Sequence, residues 1–262
     1  MRPKMITAAL LCLTCALTNA PATNLTGIAH VAFRVSSLEK TRQFYEKLGF
    51  EQAFDFKDGH GNVTQAFIKI NDRQFIELYP RTQDGKALGL THVCYESDDI
   101  ESVRNSYMKE GLNPPETKKA RAGNLLFVMH DPEDQFVEFT QYLPGSLHSE
   151  DQGKHLGAHR ISDHLAVAIL PVTNVDKERE YYARVLVPSS PAGQPATFKV
   201  GSDQLKLEAH NANTIGTIIF RVENEKRVQK TLQELGLSPK FTEGTVRVHD
   251  PDGNAVEFSS AH

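Results

Sequence analysis

The sequence predicts an α+β protein built from four βαβββ modules, and three observations lead there. The stretch "GIAHVAFRVSSLEKTRQFYEKLGF" (Gly27 to Phe50) returns in fainter form as "GLTHVCYESDDIESVRNSYMKEGL" (Gly89 to Leu112). Each is a strand pattern running into a helical one that ends near Gly. The pieces "ISDHLAVAIL" with "DKEREYYARVL", and "IGTIIFRVENEKRVQKTLQELGL", repeat that order in the C-terminal half. All four copies then close on a strand carrying a glutamate at a matching place: Glu77, Glu138, Glu208 and Glu257.

The first residues stand apart from this repeat. Arg2 and Lys4 precede an apolar run from Met5 to Leu17, and small residues including Ala20-Pro21-Ala22 follow. That order predicts a secretory signal peptide over residues 1–22, with an apolar run too short to span a bilayer. The expected localisation is secreted or periplasmic, with no stable membrane insertion after the leader is removed. Cys12 and Cys15 would leave with it, so Cys94 would stand alone and no internal disulfide could form. The chain carries 29 Lys and Arg against 33 Asp and Glu, a formal charge of −4. Loss of Arg2 and Lys4 would take that to about −6, which is no footprint for nucleic acid.

In the first module the pattern predicts a strand (Ile28 to Val35), a helix (Leu38 to Leu48), and strands over Glu51 to Phe56, Gln65 to Ile70 and Gln74 to Tyr79. Ser36 with Glu39 reads as a capping box, Gly49 as the helix C-terminal turn, and Asn71-Asp72 as a hairpin. The second module opens with Leu90 to Glu96, uses Asp98 to cap a helix running to Glu110, and closes with "NLLFVMHDPEDQFVEFTQY". The third closes with "ATFKVGSDQLKLEAH" and the fourth with "GTVRVHDPDGNAVEFSS". Residues 146–160, rich in Gly, Ser and His, read as a linker, giving domains over 23–145 and 161–262.

Two positions of the repeat carry chemistry. Each first strand offers a central place, filled by His30, His92, His164 and Thr217, and each last strand offers its glutamate. Strand alternation puts Ala29, Val31, Phe33 and Val35 on the helix side and Ile28, His30, Ala32 and Arg34 on the other. In the last strand Ile76 and Leu78 go to the helix, which leaves Phe75, Glu77 and Tyr79 facing with His30. Cys94 reads as a small buried thiol, and His130, His148, His155, His159 and His249 as surface or turn residues.

The pattern resembles the vicinal oxygen chelate superfamily, which includes glyoxalase I, methylmalonyl-CoA epimerase and the type I extradiol dioxygenases. "HVAFRVSSLEKTRQFYEKLGF", "DPEDQFVEF" and "DPDGNAVEF" carry the resemblance, which covers nearly all of the chain after the leader. It implies the glyoxalase/bleomycin resistance/dihydroxybiphenyl dioxygenase fold, with modules paired into cupped barrels and one divalent metal ion (Ni, Zn, Mn, Co or Fe) on the concave face. If consecutive modules pair, the implied ligands are His30, Glu77, His92 and Glu138; if modules are exchanged, they are His92, Glu138, His164 and Glu208. Two imidazoles and two carboxylates suit borderline or harder divalent ions and leave positions for two substrate oxygens. The resemblance further implies catalytic roles for Glu138 and Glu77 and an anion contact for Arg34.

The function expected on this basis is an exported, metal-dependent lyase or isomerase of glyoxalase-like type, acting on a small substrate with vicinal oxygens. The alternatives are an extradiol-type dioxygenase and a non-catalytic small-molecule binding or resistance protein. Thr217 stands where a dioxygenase-type site in the second half would need a ligand. The expected partners are a small-molecule substrate or ligand and, at most, a second copy of the chain, as monomer or homodimer.

Overall fold

Apolar residues alternate or run together in short stretches bounded by turn residues, and those stretches become strands. The computed structural model describes residues 24–191, 193–210, 216–242 and 244–261; the expected signal peptide, residues 1–22, lies outside them. The first module comprises β1 (Leu25–Val35), α1 (Leu38–Lys47), β2 (Glu51–Lys57), β3 (Val63–Lys69) and β4 (Phe75–Pro80). The second comprises β5 (Gly89–Ser97), α2 (Ile100–Lys109), β6 (Lys118–Lys119), β7 (Leu125–His130) and β8 (Phe136–Gln141). After a short helix, α3 (Leu147–Glu150), come β9 (Leu165–Val172), α4 (Val175–Val185), β10 (Val187–Pro188), β11 (Thr197–Val200) and β12 (Asp203–Ala209). The last module holds β13 (Thr217–Arg221), α5 (Glu225–Glu234), β14 (Lys240–Thr242), β15 (Thr245–His249) and β16 (Ala255–Ser259).

Among the described residues the strands form two eight-stranded sheets, ordered β2-β3-β4-β1-β5-β8-β7-β6 and β10-β11-β12-β9-β13-β16-β15-β14. Within a module the first strand pairs parallel to the last, as β1 does with β4 and β5 with β8. Consecutive modules are then joined by antiparallel pairing of their first strands, β1 to β5 and β9 to β13. Side chains from β1 through β8 line one cavity, so the first sheet is curled around its helix-free face.

Local details shift by single residues. The cap of α1 is Ser37, which accepts from Lys40 N–H, and not Ser36. The cap of α2 is Asp99, accepting from Ser102 N–H, and not Asp98. In both places two candidate capping residues are adjacent, and propensity alone does not choose between them. A register shift between Ile28 and His30 turns Ile28 into the main core, away from the face of His30 where simple alternation put it. Gly49 does end α1, at φ 84°, and an added Cβ would lie 2.6 Å from the His159 carbonyl oxygen, so both backbone shape and packing require Gly.

One core runs through both halves. Val31, Phe33, Tyr45 and Ile76 of the first module join Leu170, Tyr182, Phe198 and Phe220 of the second half in a single apolar cluster. Phe50 stacks on Phe220 with centroids 5.1 Å apart. Each such side chain, fully buried, contributes roughly 1.5–3 kcal/mol. Asp203 ties the halves further: its Oδ2 accepts from Ile28 N–H at 2.7 Å and from Gln74 Nε2 at 3.1 Å.

Residues 146–160 connect the halves as a seated strap. Ser146 caps α3, His148 is buried, and Asp151 receives the Nζ of the fully buried Lys69 at 2.8 Å. The expectation of a surface His148 is corrected here, because α3 presses that ring into an aromatic cluster of Phe54, Phe67, Phe75 and Tyr142.

Candidate metal centre

The register of four central strands assembles the site. β1 and β5 lie side by side with His30 opposite Cys94 and Ala32 opposite His92. On one flank β4 sets Glu77 beside Ala32; on the other β8 sets Glu138 beside Cys94. Side chains at these places point to the same concave face. His30 Nε2 and His92 Nε2 approach to 3.2 Å. Glu77 Oε2 lies 3.1 Å from the first and 3.4 Å from the second. Glu138 Oε1 is 3.8 Å from His30 Nε2, and its Oε2 is 3.9 Å from His92 Nε2. Of the consecutive set that the resemblance implied, His30, Glu77 and His92 thus form one tight group, and Glu138 flanks it beside Cys94.

Its electrostatics favour a cation. Burial alone would push the His30 imidazole down, but the charges of Glu77 and then Glu138 outweigh it and the net direction is up. Burial would raise the Glu77 carboxyl, and the two imidazoles override that, holding it well below the usual carboxylate range. Glu77 Oε2 is buried without a hydrogen bond although two imidazole nitrogens stand next to it. Buried acceptors aimed at one point and drawing positive charge are the donor set a divalent ion needs, so the residues fit such an ion.

The two glutamates are held differently. Glu77 Oε1 accepts from Gln65 Nε2 and from the Tyr79 hydroxyl at 2.8 Å. Burial, followed by the charge of Glu77, pushes the Tyr79 phenol far up, so it stays a donor. Glu138 has a weaker contact, from Cys94 Sγ at 3.4 Å, and its side chain is 14% exposed against 3% for Glu77. Sequence reasoning put Tyr79 on this face but gave it no role, and it missed Gln65, whose only signal is its alternation on β3.

Above the centre lies a cavity of about 530 Å³. Phe56, Phe67 and His148 form an aromatic wall, and Arg34, Lys118, Lys119 and Arg121 bring positive charge to its edge. Arg121 sits over the Phe56 ring at 4.4 Å. Arg34 faces the cavity as expected, with its Nε buried and unpartnered. Cys94 is buried, and burial together with the Glu138 charge raises its thiol.

The second sheet presents a different floor. β13 pairs with β9 so that Thr217 opposes Ile169 and Ile219 opposes Val167, while Lys206 lies beside Ile169 and Glu257 beside Ile219. By this register the counterparts of His30, Glu77, His92 and Glu138 are Val167, Lys206, Thr217 and Glu257. The expected places of His164 and Glu208 are therefore corrected. His164 precedes β9 and sits 2.9 Å from Asp203, while Glu208 pairs with Lys206 at 2.6 Å. The strand "LAVAILPV" is apolar throughout, so no alternation fixes its register in sequence. Glu257 is occupied by Arg247, whose Nε donates to it at 2.6 Å. The exchanged set of His92, Glu138, His164 and Glu208 is not assembled, because β5 lies next to β1 and not next to β9.

The profile of the Glyoxalase/Bleomycin resistance protein/Dioxygenase superfamily matches residues 29–128. This part of the chain is similar to that superfamily. Two curated relatives align over parts of their length. Lactoylglutathione lyase of Schizosaccharomyces pombe is 28% identical over 131 residues, 42% of this chain and 43% of the relative. Mitochondrial methylmalonyl-CoA epimerase of Bos taurus is 33% identical over 90 residues, 30% of this chain and 51% of the relative. The chain thus spans about half the length of the curated relatives it matches.

Solved structures share the fold over nearly all of the chain. The Mn(II)-bound glyoxalase from Novosphingobium aromaticivorans superimposes with a TM-score of 0.67 at 14% identity, covering 91% of this chain and 83% of the other. The 2,3-dioxygenase LapB from Pseudomonas sp. KL28 gives 0.63 at 16% identity, covering 90% and 92%. At these identities the likeness is one of fold alone.

Proposed function

We propose that this protein is a divalent-metal-dependent enzyme of glyoxalase-like lyase or isomerase type, acting on a small substrate with vicinal oxygens. The observation that carries the reading is the convergence of His30, Glu77, His92 and Glu138 beneath one cavity. These four residues would hold the ion, which when bound supplies Lewis-acid stabilisation of negative charge developing on a substrate oxygen. Glu77, fixed by Gln65 and Tyr79, serves as a rigid donor. Glu138, held more weakly and more open to the cavity, is placed to carry a proton between substrate atoms. Arg34 would contact an anionic part of the substrate at the cavity edge. The leader-like residues 1–22 support export as part of the same proposal.

The dioxygenase reading is less favoured by the second-half floor. The superfamily resemblance implies a two-His, one-carboxylate iron site in that half, and Val167, Lys206 and Thr217 supply no such set. A binding or resistance protein without turnover stays distinct by its metal content.

Metal analysis of the protein spanning residues 23–262, dialysed against mixed divalent ions, tests the proposal. About one ion per chain is expected, lost in Glu77→Ala and Glu138→Ala and kept in Glu208→Ala. Wild-type protein without metal would overturn the enzyme reading.

A further inference from the structure

His148 belongs to the strap between the halves, yet it lines the cavity of the first half. The ring is 3% exposed and stacked on Tyr142, with centroids 4.4 Å apart and planes 12° apart. Phe54, Phe67 and Phe75 meet it edge to face at 5.0, 5.4 and 5.0 Å. Both ring nitrogens are buried and neither has a hydrogen-bond partner among the described residues. A phenyl ring would fill such a box equally well without leaving polar atoms unpaired, and an unmade hydrogen bond costs more than a made one gains.

We infer that His148 is a ligand-binding residue, whose imidazole completes its hydrogen bonding with a flat apolar group that bears an uncharged hydroxyl or carbonyl. This deepens the proposed function by naming the part of the substrate that enters the aromatic end of the cavity, and it rests on reading that cavity as a ligand site. The box constrains the class. A charged group brought against a ring enclosed by Phe54, Phe67, Phe75 and Tyr142 would lose its hydration without a direct ion-pair partner there. Burial, with a smaller contribution from His30, also pushes the imidazole down to about 3, so His148 is neutral and offers one donor and one acceptor. An anionic group belongs instead at the edge, where Arg34, Lys118, Lys119 and Arg121 stand. The strap is therefore part of the binding site, and the first half's pocket is finished by chain that follows its last strand.

Phenol and toluene, alike in shape and differing in one hydroxyl, serve as probes by ligand-observed NMR on metal-free full-length protein. Phenol is expected to bind about five- to tenfold more tightly than toluene, the range one hydrogen bond supplies. His148→Phe should abolish that preference while retaining toluene. In wild-type protein labelled with ¹⁵N-histidine, phenol should shift an imidazole nitrogen of His148, a readout that does not depend on the variant folding. Equal binding of the two probes, no binding of either, a preference that persists in His148→Phe, or an unshifted His148 nitrogen would each overturn the inference. Because the measurement is made without metal, a wild-type protein that binds no ion would sink the proposed function and leave this result readable.

Discussion

Tyr79 shows how much a single side chain outside the ligand set contributes. Its hydroxyl donates to Glu77 Oε1, opposite the oxygen that faces His30 and His92. Partners of this kind orient ligands, and their loss costs about 10–100-fold in metal affinity. Tyr79→Phe is expected to weaken ion binding by at least about tenfold in a chelator competition, with the fold unchanged by circular dichroism. At this scale the sequence was most legible where chemistry repeats at a fixed place. His30, Glu77, His92 and Glu138 stand out because modules one and two carry the same residue types in the same strands. Gln65 and His148 do not repeat in that way. Gln65 is an ordinary polar residue on β3, and His148 takes its meaning from a strap whose path no local pattern encodes.

Elements fix these residues by register, and register was readable only where a polar residue marks one face of the strand. β4 and β8 each set a single glutamate among apolar residues, which marks its face; β9 has no such residue, and His164 was matched to His30 three residues from the true counterpart, Val167. The start of β12 shows what one element end can hold together. Asp203 is 2% exposed and accepts from Ile28 N–H, Gln74 Nε2 and Ser202 Oγ, with His164 Nε2 at 2.9 Å. Removing the carboxylate leaves a buried N–H of β1 unpaired and uncouples β12 from the first half. Asp203→Ala is expected to cost about 3 kcal/mol in chemical denaturation, with Asp203→Asn losing less because it still accepts.

For the whole molecule, the core shared between halves makes stability sensitive to groups far from the site. Glu178 on α4 is fully buried, and neither carboxylate oxygen has a hydrogen-bond partner among the described residues. Burial first, then the charges of Asp131 and Glu133, push its carboxyl up to about 7. The sign follows from the unfolded chain, where the group ionises near its ordinary value of 4.5. Below that value the carboxyl is protonated in both states and stability is unaffected. As pH rises towards 7 the folded state holds a proton that the unfolded state releases, so stability falls, and above about 7 the loss is complete. Glu178→Gln should therefore melt like the wild type at pH 4 and at least about 2 °C higher at pH 8. The fold class, four modules and their order were legible because each module repeats a whole supersecondary unit. The linker after the second module favoured consecutive pairing without deciding it, and the strap that finishes the first cavity was not legible, since both depend on contacts between distant segments.

The second cup keeps the backbone of the first and replaces its ligand positions with Val167, Lys206 and Thr217, over an apolar cluster of Ala166, Val167, Ile169 and Ile219. In genetic terms, the two halves register mutation through different phenotypes. A change at His30 or His92 strikes the assembled donor set directly, whereas a change at Val167 or Ile169 is felt through packing alone. If the proposed site is the functional one, a variant map of this gene should show loss of function at intact abundance around His30 and His92 and loss of abundance spread over both halves.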